Sequence, residues 1–278
     1  MNEHTAILEV DITETLSAVI EAPFVYIRQS RSGPGSRAVN GTMTGTGLGD
    51  VRVGARWWFL QSDQADEGEV ASSLRLYGLA GLRLPTGESD GKFTSQAGNR
   101  VDNDVAVQPG TGNPAAFLEL GGTFAMPESY FGLFGSARYI LAPMTNARSK
   151  NFRNQLSGRG YEYNSDPDSF NAKVGFTFEL GRLVRQSVTD EEGTLADGFA
   201  MFFAYSYALV PYDDLIGGDS GFRRGAQLMF LEPGVVWALN ERVTVNASVP
   251  LTVYRRVMKN GGNVPEVVFL AGITITLN

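Results

Sequence analysis

The chain has no cysteine and a single histidine, His4. The first absence removes disulfides, thiolate metal sites and cysteine nucleophiles, and is compatible with an oxidising compartment. The second matters for catalysis, because barrel enzymes that hydrolyse lipids or peptides, or transfer acyl chains, generally rely on a histidine base. The stretch Gly218-Asp219-Ser220-Gly221 mimics the nucleophile segment of trypsin-like serine proteases, but no histidine is placed to serve it. Gly45, Gly47 and Gly49 lead into a strand rather than a helix, so they are not a dinucleotide fingerprint. No enzyme activity and no cofactor are expected.

Long apolar runs are missing too. The longest are a few residues, far short of the roughly 20 that a spanning helix needs, so any membrane role has to use strands. A net charge of -7 with no block of Lys and Arg excludes a phosphate-binding stripe, and with it a nucleic-acid partner. Met1 to Asp11 carries no basic stretch followed by an apolar core; a secretory leader, which an outer-membrane protein needs, is expected to have been removed or lost upstream.

What the sequence does hold is alternation. Val243, Val245, Ala247, Val249, Leu251 and Val253 fall on one parity, and Arg242, Thr244, Asn246, Ser248 and Thr252 on the other. The last segment repeats the pattern with Val267, Phe269, Ala271, Ile273, Ile275 and Leu277 against Glu266, Thr274 and Thr276. Successive side chains of a strand point to opposite faces, so each segment has an apolar wall and a polar wall. Strands of about ten residues, apolar outward and polar inward, build a transmembrane β-barrel; a soluble barrel hides the apolar wall instead.

Period-two segments between turn signals predict strands near 4 to 12, 14 to 28, 50 to 61, 72 to 84, 114 to 125 and 129 to 142. Further strands are predicted near 169 to 184, 198 to 210, 225 to 239, 242 to 256 and 265 to 278. The connections alternate: those at 29 to 49, 85 to 113, 143 to 168, 211 to 224 and 257 to 264 are mostly longer than those at Thr13, 62 to 71, Met126-Pro127-Glu128, 185 to 197 and Asn240-Glu241. Outer-membrane barrels carry long loops outside and short turns in the periplasm. The reading is therefore all-β: one antiparallel up-and-down transmembrane barrel over 1–278, in the bacterial outer membrane. Closed bacterial barrels have even strand numbers, so about 12 strands are expected, 11 of them visible here, with the twelfth upstream of Met1 or an N-terminal segment lying in the lumen.

Carried through the strands, parity sets charged residues against apolar ones. Glu21, Arg52, Arg56, Arg75, Arg83, Glu119, Arg138, Lys173 and Glu179 fall opposite the apolar wall. A charge facing lipid costs about 2 to 4 kcal/mol at the bilayer midplane, so in a membrane these residues must line the lumen. They either contact a solute's carboxylate or phenolic oxygen or satisfy one another as cross-strand ion pairs. Tyr26, Trp57, Trp58, Tyr77, Tyr139, Tyr205, Tyr207, Trp237 and Tyr254 lie toward strand ends, where they suit an interfacial aromatic girdle or reflect ordinary strand propensity. Arg148, Lys150, Arg153 and Arg159 make the 143 to 168 loop basic; they meet lipopolysaccharide phosphates or are simply solvated. Asp102, Asp104, Asp166 and Asp168 do not have calcium-loop spacing, and no metal is expected.

Four short motifs carry a family resemblance. Glu21-Ala22-Pro23-Phe24-Val25, Gly47-Leu48-Gly49-Asp50, Gly81-Leu82-Arg83-Leu84-Pro85-Thr86-Gly87 and Gln108-Pro109-Gly110-Thr111-Gly112 occur in order within residues 14 to 125. In this the chain resembles the outer-membrane proteins linked to meta-pathway phenol degradation. It departs from the common outer-membrane pattern at Leu277-Asn278, where a terminal aromatic is usual. The resemblance implies a barrel related to the hydrophobic-compound and fatty-acid transporters of the outer membrane, admitting aromatic substrates. The expected function is passive uptake of small hydrophobic or aromatic molecules through a channel whose lumen charges set selectivity, with membrane lipid and lipopolysaccharide as neighbours. A structural or surface-interaction barrel with a plugged lumen, and a soluble ligand-binding β-barrel, are the alternatives.

Overall fold

The computed structural model describes residues 2–31, 41–64, 72–104, 107–125, 130–144, 163, 165–180, 198–216, 225–240, 242–259 and 268–277. Alternation becomes strand almost wherever the sequence holds it. The wall begins with β1 (Asn2–Thr13), β2 (Leu16–Arg31), β3 (Gly41–Leu48), β4 (Arg52–Gln64) and β5 (Ser72–Arg83). It continues through β8 (Ala115–Ala125), β9 (Phe131–Leu141), β10 (Ser169–Glu179), β11 (Phe199–Val210), β12 (Gly225–Ala238), β13 (Val243–Ser248), β14 (Leu251–Lys259) and β15 (Phe269–Leu277). A small hairpin, β6 (Lys92–Thr94) with β7 (Arg100–Asp102), stands apart from the wall.

Two pairs of elements are single wall strands broken in the middle. β2 pairs with β3 through its residues 24–31 and with β4 through 16–21. β12 likewise pairs with β13 and then with β14 on either side of Val249-Pro250, where proline supplies no ladder donor. Counted this way the barrel closes on eleven strands. Consecutive wall strands are antiparallel, and the closing seam between β1 and β15 is parallel, from Asn2 opposite Phe269 to Val10 opposite Leu277. An odd number of alternating strands can close only by setting two neighbours in the same direction. The eleven strands expected within this chain are the eleven of the wall, and β1 pairs directly with β15.

Short turns are held by their own side chains. Thr13 Oγ1 accepts hydrogen bonds from the Thr15 and Leu16 amides at 3.3 and 3.0 Å, and Asn240 Oδ1 accepts from Arg242 and Val243 at 2.9 Å each. Both turns lie at the same end of the wall, the rim of the shorter connections. At the opposite, upper rim the β2–β3 hairpin rises beyond the wall, and Met43, Phe93, Val101 and Val107 bury one another against β6 and β7. β3, β6 and β7 fall where sequence reading expects loops.

The outer wall is apolar. Leu120 is 65% and Val174 60% exposed at the middles of β8 and β10, and Leu118, Phe176, Met201, Phe203 and Phe269 are exposed around them. In β4 the register shifts between Trp58 and Leu60, a bulge that leaves Trp57, Phe59 and Leu60 all exposed.

Candidate functional site: the lumen

The inward parity carries nearly all strand charges, and they bond across the interior rather than only to neighbouring strands. Arg138 of β9 donates to both carboxylate oxygens of Glu21 on β2, at 2.8 and 2.6 Å. Between those two strands along the wall stand β4, β5 and β8, so this bidentate pair is a strut across the barrel. Arg138 Nε also donates to Glu119, whose other oxygen accepts from Tyr77 OH at 2.6 Å. Glu21 accepts a further bond from Arg52 at 2.9 Å. Lower down, Arg56 pairs with Glu9 at 2.5 Å and lies 4.8 Å from the Tyr77 ring centre. Arg75 bonds Gln61 at 3.0 Å and covers Trp58 at 4.8 Å. Such pairing is what buried charges require.

The strut divides a filled half from an open half. Val19, Leu79, Ala115, Phe117, Ile140 and Ala142 bury one another on the β2–β9 side, with Ile7 and Tyr77 packed against them. On the β9–β15 side lie two cavities, of about 590 Å³ and about 540 Å³, each within the usual size range of a small-molecule site. Arg52, Glu119, Arg138, Asn171 and Phe230 line the first; Phe134, Thr177, Glu179, Phe202 and Asn246 line the second. Lys173, Glu232 and Leu270 line both. Lys173 Nζ bonds Glu232 Oε1 at 2.7 Å, while the hydroxyls of Ser248 and Ser206 donate to the same carboxylate at 2.7 and 2.8 Å.

At the upper rim three of the glycine-based motifs meet around Asp50. Its Oδ1 accepts from the Gly87 amide at 3.1 Å, and its Oδ2 from the amide and hydroxyl of Thr111 at 2.9 Å each. Thr86 Oγ1 donates to the Gly49 carbonyl at 3.1 Å and accepts from the Val51 amide at 2.9 Å. The chains come so close that a Cβ on Gly87 would stand 2.7 Å from Gly110 Cα, and one on Gly110 2.6 Å from Asp50 Oδ1. Gly112 takes φ 78°, where a side chain is disfavoured. The fourth motif joins through Pro23, whose carbonyl accepts from the Gly49 amide at 2.7 Å.

Arg83, at the end of β5, ties this clasp to the segment entering β10. It lies 3.7 Å from Asp50 and bonds Asp166 at 2.7 Å. Asp166 lies outside the strands, at the rim. Burial, with the nearby carboxylates of Asp50 and Asp214, outweighs the attraction of Arg83 and pushes its pKa up to about 6. Asp168 is fully buried and accepts from the Ala142 amide, Tyr139 OH and the Leu215 amide at 2.8 to 3.0 Å.

All nine charged positions singled out from sequence thus point into the barrel. Arg52, Glu119, Arg138, Lys173 and Glu179 line the two cavities; Arg56, Arg75 and Arg83 line neither, and Glu21 anchors the strut. Sequence reading missed Glu9 and Glu232; it named Asp50 only within a motif and Asp166 only as a rejected calcium ligand, without their bonds at the rim. Of its two readings for the aromatics, an outer girdle does not hold for Trp58 and Tyr77: both face inward, Trp58 against Arg56 and Arg75 and Tyr77 against Arg56. Parity was the available signal, since Trp58 shares the face of Arg52 and Arg56, and Tyr77 that of Arg75. Among the described residues no acidic group is arranged to hold a metal ion. Arg148, Lys150, Arg153, Arg159 and Gly218 to Gly221 lie outside the described residues. Compared with known proteins, the chain matches no protein-family model and no curated protein.

Proposed function

We propose that the protein is a bacterial outer-membrane channel for passive uptake of small hydrophobic or aromatic molecules. The observation that carries this reading is a β-barrel with an exposed apolar outer wall around a lumen of paired charges and adjoining cavities. Large apolar side chains such as Leu120 and Val174, exposed at mid-strand, are favourable in lipid and costly in water. The mixed polar and aromatic lining of the open half gives an amphipathic solute both an apolar surface and hydrogen-bonding groups. The resemblance to the outer-membrane proteins of meta-pathway phenol degradation adds support, because its separate motifs close one rim clasp around Asp50.

The test is single-channel conductance of the refolded protein in planar bilayers, with and without benzoate. Steady conductance that benzoate reduces is expected. A second reading, a structural or surface-interaction barrel with a plugged lumen, draws on the packed half and the Arg138–Glu21 strut. Insertion with neither conductance nor solute-driven swelling of proteoliposomes would favour it over the channel. Failure to insert would favour a soluble ligand-binding barrel.

A further inference from the structure

The two lumen cavities adjoin at one ion pair, and its two halves are held unequally. Glu232 is 2% exposed and is fixed by Ser206 and Ser248 from flanking strands as well as by Lys173. Lys173 keeps a side chain 35% exposed, reaches Glu232 with its ammonium, and lies 6.0 Å from the Phe202 ring centre. A carboxylate with three donors on it is an anchored group. An ammonium at the tip of four methylenes, facing a cavity on each side, is a movable one.

We propose that Lys173 and Glu232 form the partition between the two lumen compartments, and that it yields to organic anions. The inference rests on the channel reading and names the step that controls it. An arriving anion competes with Glu232 for the Lys173 ammonium and can draw it aside, because the two serine hydroxyls still satisfy the carboxylate it leaves. A cation meets Glu232 behind Lys173 and is repelled by the ammonium before it can compete. The apolar surfaces of Phe134, Phe202 and Leu270 beside the pair suit an anion that carries a hydrocarbon body. Passage needs only displacement of a contact, with no covalent step.

Reversal potentials of the full chain in planar bilayers test this, using gradients of potassium butanesulfonate and of butyltrimethylammonium chloride. The wild-type protein is expected to favour the organic anion at least threefold over the organic cation. Lys173→Met leaves a carboxylate without its counter-ion at the partition and should reverse that preference; Glu232→Gln can still bond both serines, with one hydroxyl now accepting from the amide NH2, frees the ammonium and should increase it. Closed wild-type protein with conducting variants of those opposite preferences also supports the partition. Conductance with the same preference in all three proteins would overturn the partition and leave the channel reading intact. Inserted protein that conducts in none of the three forms would overturn both.

Discussion

Arginine in place of Leu120 separates a barrel in lipid from one in water. Leu120 sits at the middle of β8, faces outward and is 65% exposed. Fully burying a leucine is worth about 1.5 to 3 kcal/mol, so the exposed part of this one contributes about 1 to 2 kcal/mol when lipid covers it. Arginine at the midplane adds about 2 to 4 kcal/mol of cost, for a loss between about 3 and 6 kcal/mol. Leu82 is a matched control: 53% exposed and outward, but one residue from the end of β5 at the upper rim. There the arginine term falls to about 0 to 1 kcal/mol, so Leu82→Arg should be milder by about 2 to 3 kcal/mol. Equilibrium urea unfolding from lipid vesicles, followed by tryptophan fluorescence, measures both. Equal losses at the two sites, or a Leu120→Arg protein that stays folded and monomeric without detergent, would refute the membrane reading, because a water-facing wall has no depth.

The other expectations concern the interior and the rim. Removing one partner of a buried ion pair costs about 3 to 5 kcal/mol, but Glu21 keeps Arg52 and Glu119 keeps Tyr77, so Arg138→Met should lose about 2 to 3 kcal/mol. A double-mutant cycle with Glu21→Gln should then show coupling well above 0.5 kcal/mol, on the order expected for a direct pair, and its absence would remove the strut. Asp166, held near pKa 6 against an ordinary 3.8, binds its proton more tightly folded than unfolded. It therefore adds stability as pH falls from about 6 toward 4 and loses it as pH rises through 6. Relative to Asp166→Asn, the wild-type protein should gain roughly 2 kcal/mol between pH 7.5 and 4.5; parallel curves would count against this. Gly87→Ala and Gly110→Ala push a Cβ into backbone and should each cost about 1 to 3 kcal/mol in the same unfolding assay. Gly78→Ala, whose nearest contact is Leu120 at 3.8 Å, should cost far less.

Wall strands were legible because one inward charge among outward apolar residues fixes both period and face, as in Arg52–Arg56 or Lys173–Glu179. β3 was not: Gly41–Leu48 alternates threonine with glycine and offers Met43 as its one large inward apolar residue. Its pairing with β2 and cover from Val107 supply what its own side chains lack. Partner choice was illegible for a different reason. Arg138 and Glu21 lie 117 residues apart, and which inward groups face one another depends on the stagger of the closed wall. Glu232 had a readable signal, being a lone carboxylate in an apolar strand, since a buried charge needs a partner.

The same placement decides where selectivity resides. Arg56 and Arg83 look from sequence like pore-lining cations, yet one is closed onto Glu9 and Tyr77, and the other is locked into the rim with Asp50 and Asp166. Neither borders the open half, so neutralising them should weaken the barrel more than it changes which ions cross. Lys173 carries the same charge in the opposite situation, beside both cavities and held to an anchored carboxylate. A permeating solute responds most to a charge that borders its path and can be drawn from its counter-ion. By that criterion Lys173 is the cation in this lumen whose removal changes selectivity most. Permeability ratios for Arg56→Met, Arg83→Met and Lys173→Met, measured side by side, should rank Lys173 first; a larger change from either arginine would place the conducting path on the packed side of the strut.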